Sequence, residues 1–176
     1  LKTPFTSINN ATELNFTSIE DLTKHPEKVK LNLNFKNTII GVKDAVFFSD
    51  AIPANYKNET LKLNANLNGY LNNLNINQLQ VSGLKNTQID ISGKAKGLPD
   101  INKTYLDLNI KKLYLSKADI LVLAPPKSIP QNIELPNVIN AKGNFKGSLT
   151  DFSTNLNVST DMGSALITAA MKGPKG

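Results

Sequence analysis

The sequence predicts an all-β fold, because apolar and polar residues alternate along most of its length and turn signals separate the alternating runs. The stretch LNANLNGYLNNLNINQLQVSG, residues 63–83, shows the pattern most clearly: leucine and isoleucine alternate with asparagine, so each strand has one apolar and one polar face. Two arrangements satisfy this pattern. Two sheets can press their apolar faces together in a closed β-sandwich, or one elongated, bent sheet can keep that face open as an apolar groove.

The alternating runs recur from residue 31 to residue 169, and each places apolar side chains two residues apart. In chain order they are Leu31, Leu33 and Phe35; Leu61, Leu63, Ala65 and Leu67; Leu74 and Ile76; Leu79 and Val81; Ile89 and Ile91; Leu106, Leu108 and Ile110; Leu113 and Leu115; Leu156 and Val158; and Ala165, Ile167 and Ala169. Between the third and fourth runs the apolar positions shift by one residue at Asn77 and Gln78. A β-bulge or a change of strand would produce that shift.

Short glycine-containing sequences between the alternating runs predict the turns. These are NG at 68–69, SG at 82–83 and 92–93, GLPD at 97–100 and KGSLTD at 146–151.

The first break in the strand pattern is TSIEDLTKHPEKV, residues 17–29. Ser18 and Asp21 stand at capping-box spacing, and Pro26 ends the helical pattern. We expect a helix of at most two turns.

The second break is LSKADILVLAPPKSIPQNIELPNVI, residues 115–139. Ser116 is placed to cap a short helix over residues 118–123, which the two prolines at 125–126 would end. The prolines that follow keep the chain extended, so we expect this segment to cross along the strand face.

The composition argues against several functional classes. All twenty basic residues are lysine, the net charge is +6, and aromatic residues make up only 6% of the chain. Nucleic-acid recognition relies on the arginine fork and on stacking aromatics, so no nucleic-acid partner is expected. Without cysteine, neither disulfides nor thiolate metal sites can form.

The length fits one domain. The chain does not begin with methionine and has no apolar run of about 18 residues. We therefore interpret residues 1–176 as a single all-β segment of a longer chain.

Catalytic chemistry finds little support in the sequence. His25 is the only histidine and precedes a proline in a polar stretch, which favours a surface position. The carboxylates of Asp90, Asp107 and Asp119 are interpreted as single groups on polar strand positions, facing solvent. No paired acid and base, metal-ligand cluster or phosphate-binding loop is evident, so we expect no enzyme activity, no cofactor and no metal.

Several segments between residues 69 and 173 share a recurring pattern of a glycine-containing turn followed by an alternating strand. GYLNNLNINQLQVSG and GSLTDF repeat a Gly-x-Leu-x-(Asn/Asp)-apolar turn before an alternating strand. The strongest piece is IPQNIELPNVINAKGNFKGSLTDFSTNLNVSTDMG, with Gly143 and Gly147 between a proline-flanked entry strand and a strand that ends in TDMG. These segments resemble the C-terminal half of the AsmA-like and TamB family of bacterial envelope proteins.

The resemblance implies a long sheet folded into a taco-like trough with an apolar lining. It implies a parent chain that is anchored in the inner membrane and crosses the periplasm, conducts phospholipid toward the outer membrane, and takes part in outer-membrane biogenesis. It also implies an outer-membrane barrel partner for protein translocation and assembly, reached through parts of the parent chain outside residues 1–176.

On this interpretation the segment holds phospholipid acyl chains and conducts them between the membranes. A trough of roughly ten strands would be about 50 Å long. The residues expected to line it are Leu61, Leu63, Leu67, Leu74, Ile76, Ile89, Ile91, Leu106, Leu108, Leu156 and Val158.

Three alternatives stay open at this point. A closed β-sandwich would serve as a structural or adhesion module. A chaperone-like binder would offer sheet edges to outer-membrane protein strands. A glycan-processing enzyme would need an exposed, aromatic-lined carboxylate pair. Free strand edges also predict self-association of the isolated segment.

Overall fold

A computed structural model describes residues 2–8, 12–45, 56–123, 129, 132 and 134–173. These residues form one antiparallel sheet of nine strands, and the strands lie side by side in the order in which they follow along the chain. The strands are β1 (Thr12–Asn15), β2 (Lys30–Gly41), β3 (Thr60–Tyr70), β4 (Asn73–Gly83), β5 (Thr87–Lys96), β6 (Tyr105–Ser116), β7 (Val138–Gly147), β8 (Phe152–Thr160) and β9 (Gly163–Met171).

The sheet is open and has two edges. Between β1 and β9 there are eight strand spacings of about 4.8 Å, which gives a length of about 38 Å across the strands. Ser7 adds an isolated bridge to Ile39, beyond the four residues of β1. No described residue forms a strand beyond β9. The expected all-β fold with a bent, open sheet is therefore confirmed, and the described residues contain one sheet rather than the two of a sandwich.

Each predicted alternating run lies within a strand. The shift at Asn77 is a bulge inside β4, where Ile76 and Leu79 face Gly93 and Ile91 of β5. Similar register shifts occur in β2, between Phe35 and Thr38, and in β6, between Ile110 and Leu113. By adding one residue, each bulge returns the apolar side chains that follow it to the same face of the sheet.

Two predicted turns are wrong. NG at 68–69 lies inside β3, and SG at 92–93 lies inside β5. The chain turns from β3 into β4 at residues 71–72 instead. Gly93 has φ +142°, and a Cβ added there would overlap the carbonyl oxygen of Asp107 on β6. This glycine permits close approach of two strands rather than a reversal of the chain. The turn predicted at KGSLTD is correct, since β7 ends at Gly147 and β8 begins at Phe152.

Three short α-helices accompany the sheet: α1 (Ile19–Lys24), α2 (Val42–Ala45) and α3 (Lys117–Leu123). The predicted start and end of the first helix hold, since α1 lies between Ser18 and Pro26, whereas α2 was not predicted. The Asp21 carboxylate accepts a hydrogen bond of 3.0 Å from the Ser18 backbone N–H at the start of α1, and a short 3-10 helix follows from Pro26 to Lys28.

Helix α3 begins as predicted, because the Ser116 hydroxyl accepts a 3.2 Å hydrogen bond from the backbone N–H of Asp119. The prolines at 125–126, and the rest of residues 124–128, 130–131 and 133 in the segment expected to cross the sheet, lie outside the described residues.

Candidate functional site

One face of the sheet carries rows of directly opposed apolar residues that run from strand to strand. The registers of successive strand pairs place these residues in line, so each row crosses the sheet at right angles to the strands. One such row consists of Leu33, Leu67, Ile76, Gly93, Leu108, Phe145, Thr154 and Ala169. A second consists of Phe35, Ala65, Leu79, Ile91, Ile110, Gly143, Leu156 and Ile167. We call this surface the apolar face.

All eleven residues predicted to line a trough lie on the apolar face. Nine of them are half-buried, while Leu74 and Ile76 are 6% and 8% exposed. Between two packed sheets these aliphatic side chains would be sealed, as in other β-sandwich cores. The described residues therefore leave most of this face open.

Sequence reasoning missed several residues of the same face. Phe145 and Phe152 stack with their ring centroids 5.3 Å apart. Strand β7 carries no predicted run, because Ala141, Gly143 and Gly147 occupy its apolar positions and interrupt the pattern. Aligning β7 in register with the runs of β6 and β8 would have found these positions.

Threonines on the apolar face turn their hydroxyl groups to the protein. Thr154 donates a 2.7 Å hydrogen bond to the backbone oxygen of Asn144, and Thr160 donates one of 3.0 Å to the oxygen of Gly163. The Thr38 hydroxyl is buried and has no partner among the described residues. Because two of these hydroxyls are satisfied internally, they add little unpaired polarity to the surface.

Helix α3 covers one end of the apolar face, at the turn between β4 and β5. Its Asp119 is fully buried, and its carboxylate accepts hydrogen bonds from the Tyr56 hydroxyl at 2.9 Å and from the Thr87 hydroxyl at 2.8 Å. The backbone N–H groups of Lys85 and Asn86 donate two more, at 3.2 and 2.9 Å. Thr87 stands opposite Gly83 on the apolar face, so this contact fixes α3 on that side of the sheet.

The prediction that Asp119 is a solvated strand residue is wrong. Its four donors explain how a carboxylate can be buried without a cation. Burial raises the pKa of Asp119, but the hydrogen bonds from Asn86, Thr87, Lys85 and Tyr56 outweigh it and hold the pKa below 3.8.

The phenol of Tyr56 responds in the opposite direction. Burial raises its pKa to about 12, assisted by its hydrogen bond to Asp119 and by the negative charge there. The pair is thus a neutral phenol donating to an ionised carboxylate, which is a structural arrangement at neutral pH.

The other polar groups do not converge on a reaction centre. Among the described residues, no group of three or more histidine, cysteine or acidic side chains could hold a metal ion. His25 is exposed and lies 3.3 Å from the carboxylate of Glu27. Asp90 accepts a 2.9 Å hydrogen bond from Gln80, and Asp107 pairs with Lys146 at 3.3 Å.

Within the described ranges, no helix is long and apolar enough to cross a membrane. In comparisons with known proteins, no family model, no curated protein and no solved structure matches the chain.

Proposed function

We propose that this chain is a section of a trough that holds phospholipid acyl chains and lets them move along the sheet, without catalysing a reaction. The observation that carries the proposal is the apolar face, whose rows run across eight consecutive strands, β2 to β9, and stay half-exposed over most of their length. A surface of this kind needs an apolar occupant.

Aliphatic residues dominate the rows, and this favours flexible hydrocarbon over a flat aromatic ligand. Burial of a methylene contributes about 0.8 kcal/mol, so a sixteen-carbon chain held along the face would gain about 10 kcal/mol relative to water. Successive strands contribute similar aliphatic side chains to each row, so a chain can shift between adjacent strands with little change in free energy. Retention without a fixed site is the property that a conduit requires.

The setting we propose follows the resemblance to the AsmA-like and TamB family. In this proposal the segment lies in the periplasm, within the cell envelope of a two-membrane bacterium, as part of an inner-membrane-anchored bridge that supplies lipid to the outer membrane. Contacts with an outer-membrane barrel protein would belong to other parts of the parent chain.

Photo-crosslinking tests the proposal with neighbouring positions on opposite faces of one strand. A photoreactive amino acid replaces Ile91 on the apolar face or, as the matched control, Ser92 on the polar face; both side chains are half-buried. After irradiation in cells, we expect phospholipid adducts by mass spectrometry at Ile91 and none at Ser92. Equal adducts at both positions, or crosslinks at Ile91 to protein alone, would contradict the proposal; the second result would indicate a closed module or a protein-binding surface.

A charge placed on either face gives an independent check. Leu108→Asp puts a carboxylate among the rows, whereas Asn109→Asp adds the same charge to the next residue on the polar face of β6. We expect the first variant to lose copurified phospholipid in native mass spectrometry and the second to retain it. Circular dichroism confirms that each variant is folded, and Leu108→Gln, which adds no charge, replaces the first variant if it is not.

A further inference from the structure

The polar face of the sheet carries a cleft in which lysines converge. Its volume is about 480 Å³, and the described residues that line it are Lys94, Lys96, Tyr105, Asp107 and Lys146. A second cleft of about 510 Å³ adjoins it, shares Tyr105 and Lys146, and adds one lysine and one carboxylate, Lys172 and Asp151. We call the first of these the lysine cleft.

The strand register explains why these side chains meet. Lys94 on β5, Asp107 on β6 and Lys146 on β7 stand directly opposite one another, and Lys96 stands opposite Tyr105 in the next row. Lys94 and Lys146 are thus two strand spacings apart, about 10 Å, and Lys94 and Lys96 are about 7 Å apart along one strand. Lysine side chains are long enough to reach a common ligand across these distances.

The charges in the lysine cleft do not balance. Asp107 forms an ion pair of 3.3 Å with Lys146. Within the part of the chain that the structure describes, neither Lys94 nor Lys96 has an acidic partner, so the five residues carry a net charge of +2. The ammonium groups of Lys94 and Lys96 repel each other at this spacing, and a multivalent anion between them would replace repulsion with attraction.

Two other clefts on the same face carry a smaller excess of positive charge. In the cleft that contains Lys62 and Lys112, Lys112 donates to Gln88 at 2.6 Å and the carboxylate of Asp90 lies nearby. In the cleft that contains Lys142, the remaining lining side chains are uncharged. The lysine cleft therefore carries the largest excess of positive charge of the three, +2 against +1 in each of the other two.

We propose that the lysine cleft binds a phosphate-type oxyanion, with Lys94, Lys96 and Lys146 as cationic donors and the exposed Tyr105 hydroxyl as a neutral donor. A free phosphate and the phosphate of a phospholipid headgroup present the same oxygens to these donors. Because the ammonium groups are exposed, binding is weak and falls as ionic strength rises. The site lies on the face opposite the proposed trough, so it stands or falls independently of the lipid-conduit proposal.

Phosphate titration followed by NMR tests the site. The probe is inorganic phosphate at low ionic strength, and the readout is the set of amide shifts of β5 to β7. Lys94→Gln with Lys96→Gln removes two ammonium groups, and Lys142→Gln with Lys62→Gln, which removes two from the same face, is the matched control. We expect the apparent dissociation constant to rise at least tenfold in the first double variant and less than twofold in the second. Equal weakening in both, or no saturable shift in the wild-type chain, would overturn the proposal.

Vesicle flotation then separates the two sources of the oxyanion. Vesicles of phosphatidylglycerol and phosphatidylcholine that bind the wild-type chain, and release it when phosphate is added, identify a headgroup ligand. Saturable phosphate binding without vesicle binding identifies a soluble one. Phosphate binding that persists in Leu108→Asp, even where that variant has lost lipid, separates this site from the trough.

Discussion

A pair of glycine substitutions tests whether the floor of the apolar face depends on close strand approach. Gly143 lies inside β7, opposite Ile110 on one side and Leu156 on the other, with φ +147°. A Cβ added there would overlap the backbone carbonyl oxygen of Asn155 on β8. Gly163, at the start of β9, has φ +148°, yet a Cβ added there meets nothing within 4 Å.

The matched φ angles let the two contributions be separated. Either alanine variant loses about 1–3 kcal/mol to the unfavourable backbone conformation. Gly143→Ala also has to displace the backbone of a hydrogen-bonded neighbouring strand, which adds about 1–3 kcal/mol, as overpacking does in protein cores. We therefore expect a total loss of about 2–6 kcal/mol for Gly143→Ala and about 1–3 kcal/mol for Gly163→Ala.

Urea unfolding followed by circular dichroism measures both losses from the shift in midpoint at constant slope. Differences in unfolding free energy between two variants can be resolved to about 0.5 kcal/mol. If the two variants lose the same stability within that limit, the close approach of β7 and β8 is not what requires glycine at position 143. A greater loss for Gly163→Ala would reject the reasoning altogether.

The remaining predictions concern the buried carboxylate of Asp119 in α3 and its partner Tyr56. Asp119→Asn leaves two donors without an acceptor at about 1–3 kcal/mol each, so urea unfolding should show a loss of about 2–6 kcal/mol; Asp107→Asn, in an exposed ion pair, should cost about 0–1 kcal/mol. The folded-state pKa of Asp119 lies below 3.8, so the ionised carboxylate stabilises the fold above that pH, and this stabilisation is lost as the pH falls through the folded-state pKa. Asp119→Asn should therefore make the urea midpoint less sensitive to acid. An acid profile equal to that of the wild-type chain would contradict this assignment. Tyr56→Phe removes a hydrogen bond to a charged acceptor and should cost about 1.5–3 kcal/mol. Since folding raises the pKa of Tyr56 from 10.0 to about 12, the wild-type chain should lose stability as the pH rises between these values. If Tyr56→Phe loses the same stability over this pH range, Tyr56 is not the group responsible.

Alternation in the sequence was sufficient to predict seven of the nine described strands, all except β1 and β7, and the apolar face that they share. The runs at Leu61 to Leu67 and Leu106 to Ile110 lie in single strands, and even the shift at Asn77 was correctly assigned to a bulge or a change of strand. Alternation works here because side chains in a strand point to opposite faces with a period of two, a local property that needs no knowledge of the neighbours.

Glycine was interpreted less well. The glycines at positions 69 and 93 were taken as turn residues, although both lie inside strands with positive φ. In sequence, a glycine that lets the chain reverse looks the same as one that lets another backbone approach. Only the position of the facing carbonyl oxygen distinguishes them.

The sequence by itself determined the period-two pattern, the apolar and polar faces, the start of α3 at Ser116 and the excess of lysine. Tertiary structure decided how these features are combined. It placed Asp119 under four donors contributed by distant segments, brought Lys94, Lys96 and Lys146 to one cleft, and arranged the described strands in one open sheet. The physical reason is that periodicity and capping depend on residues a few positions apart, whereas register, burial and charge convergence depend on which strands become neighbours.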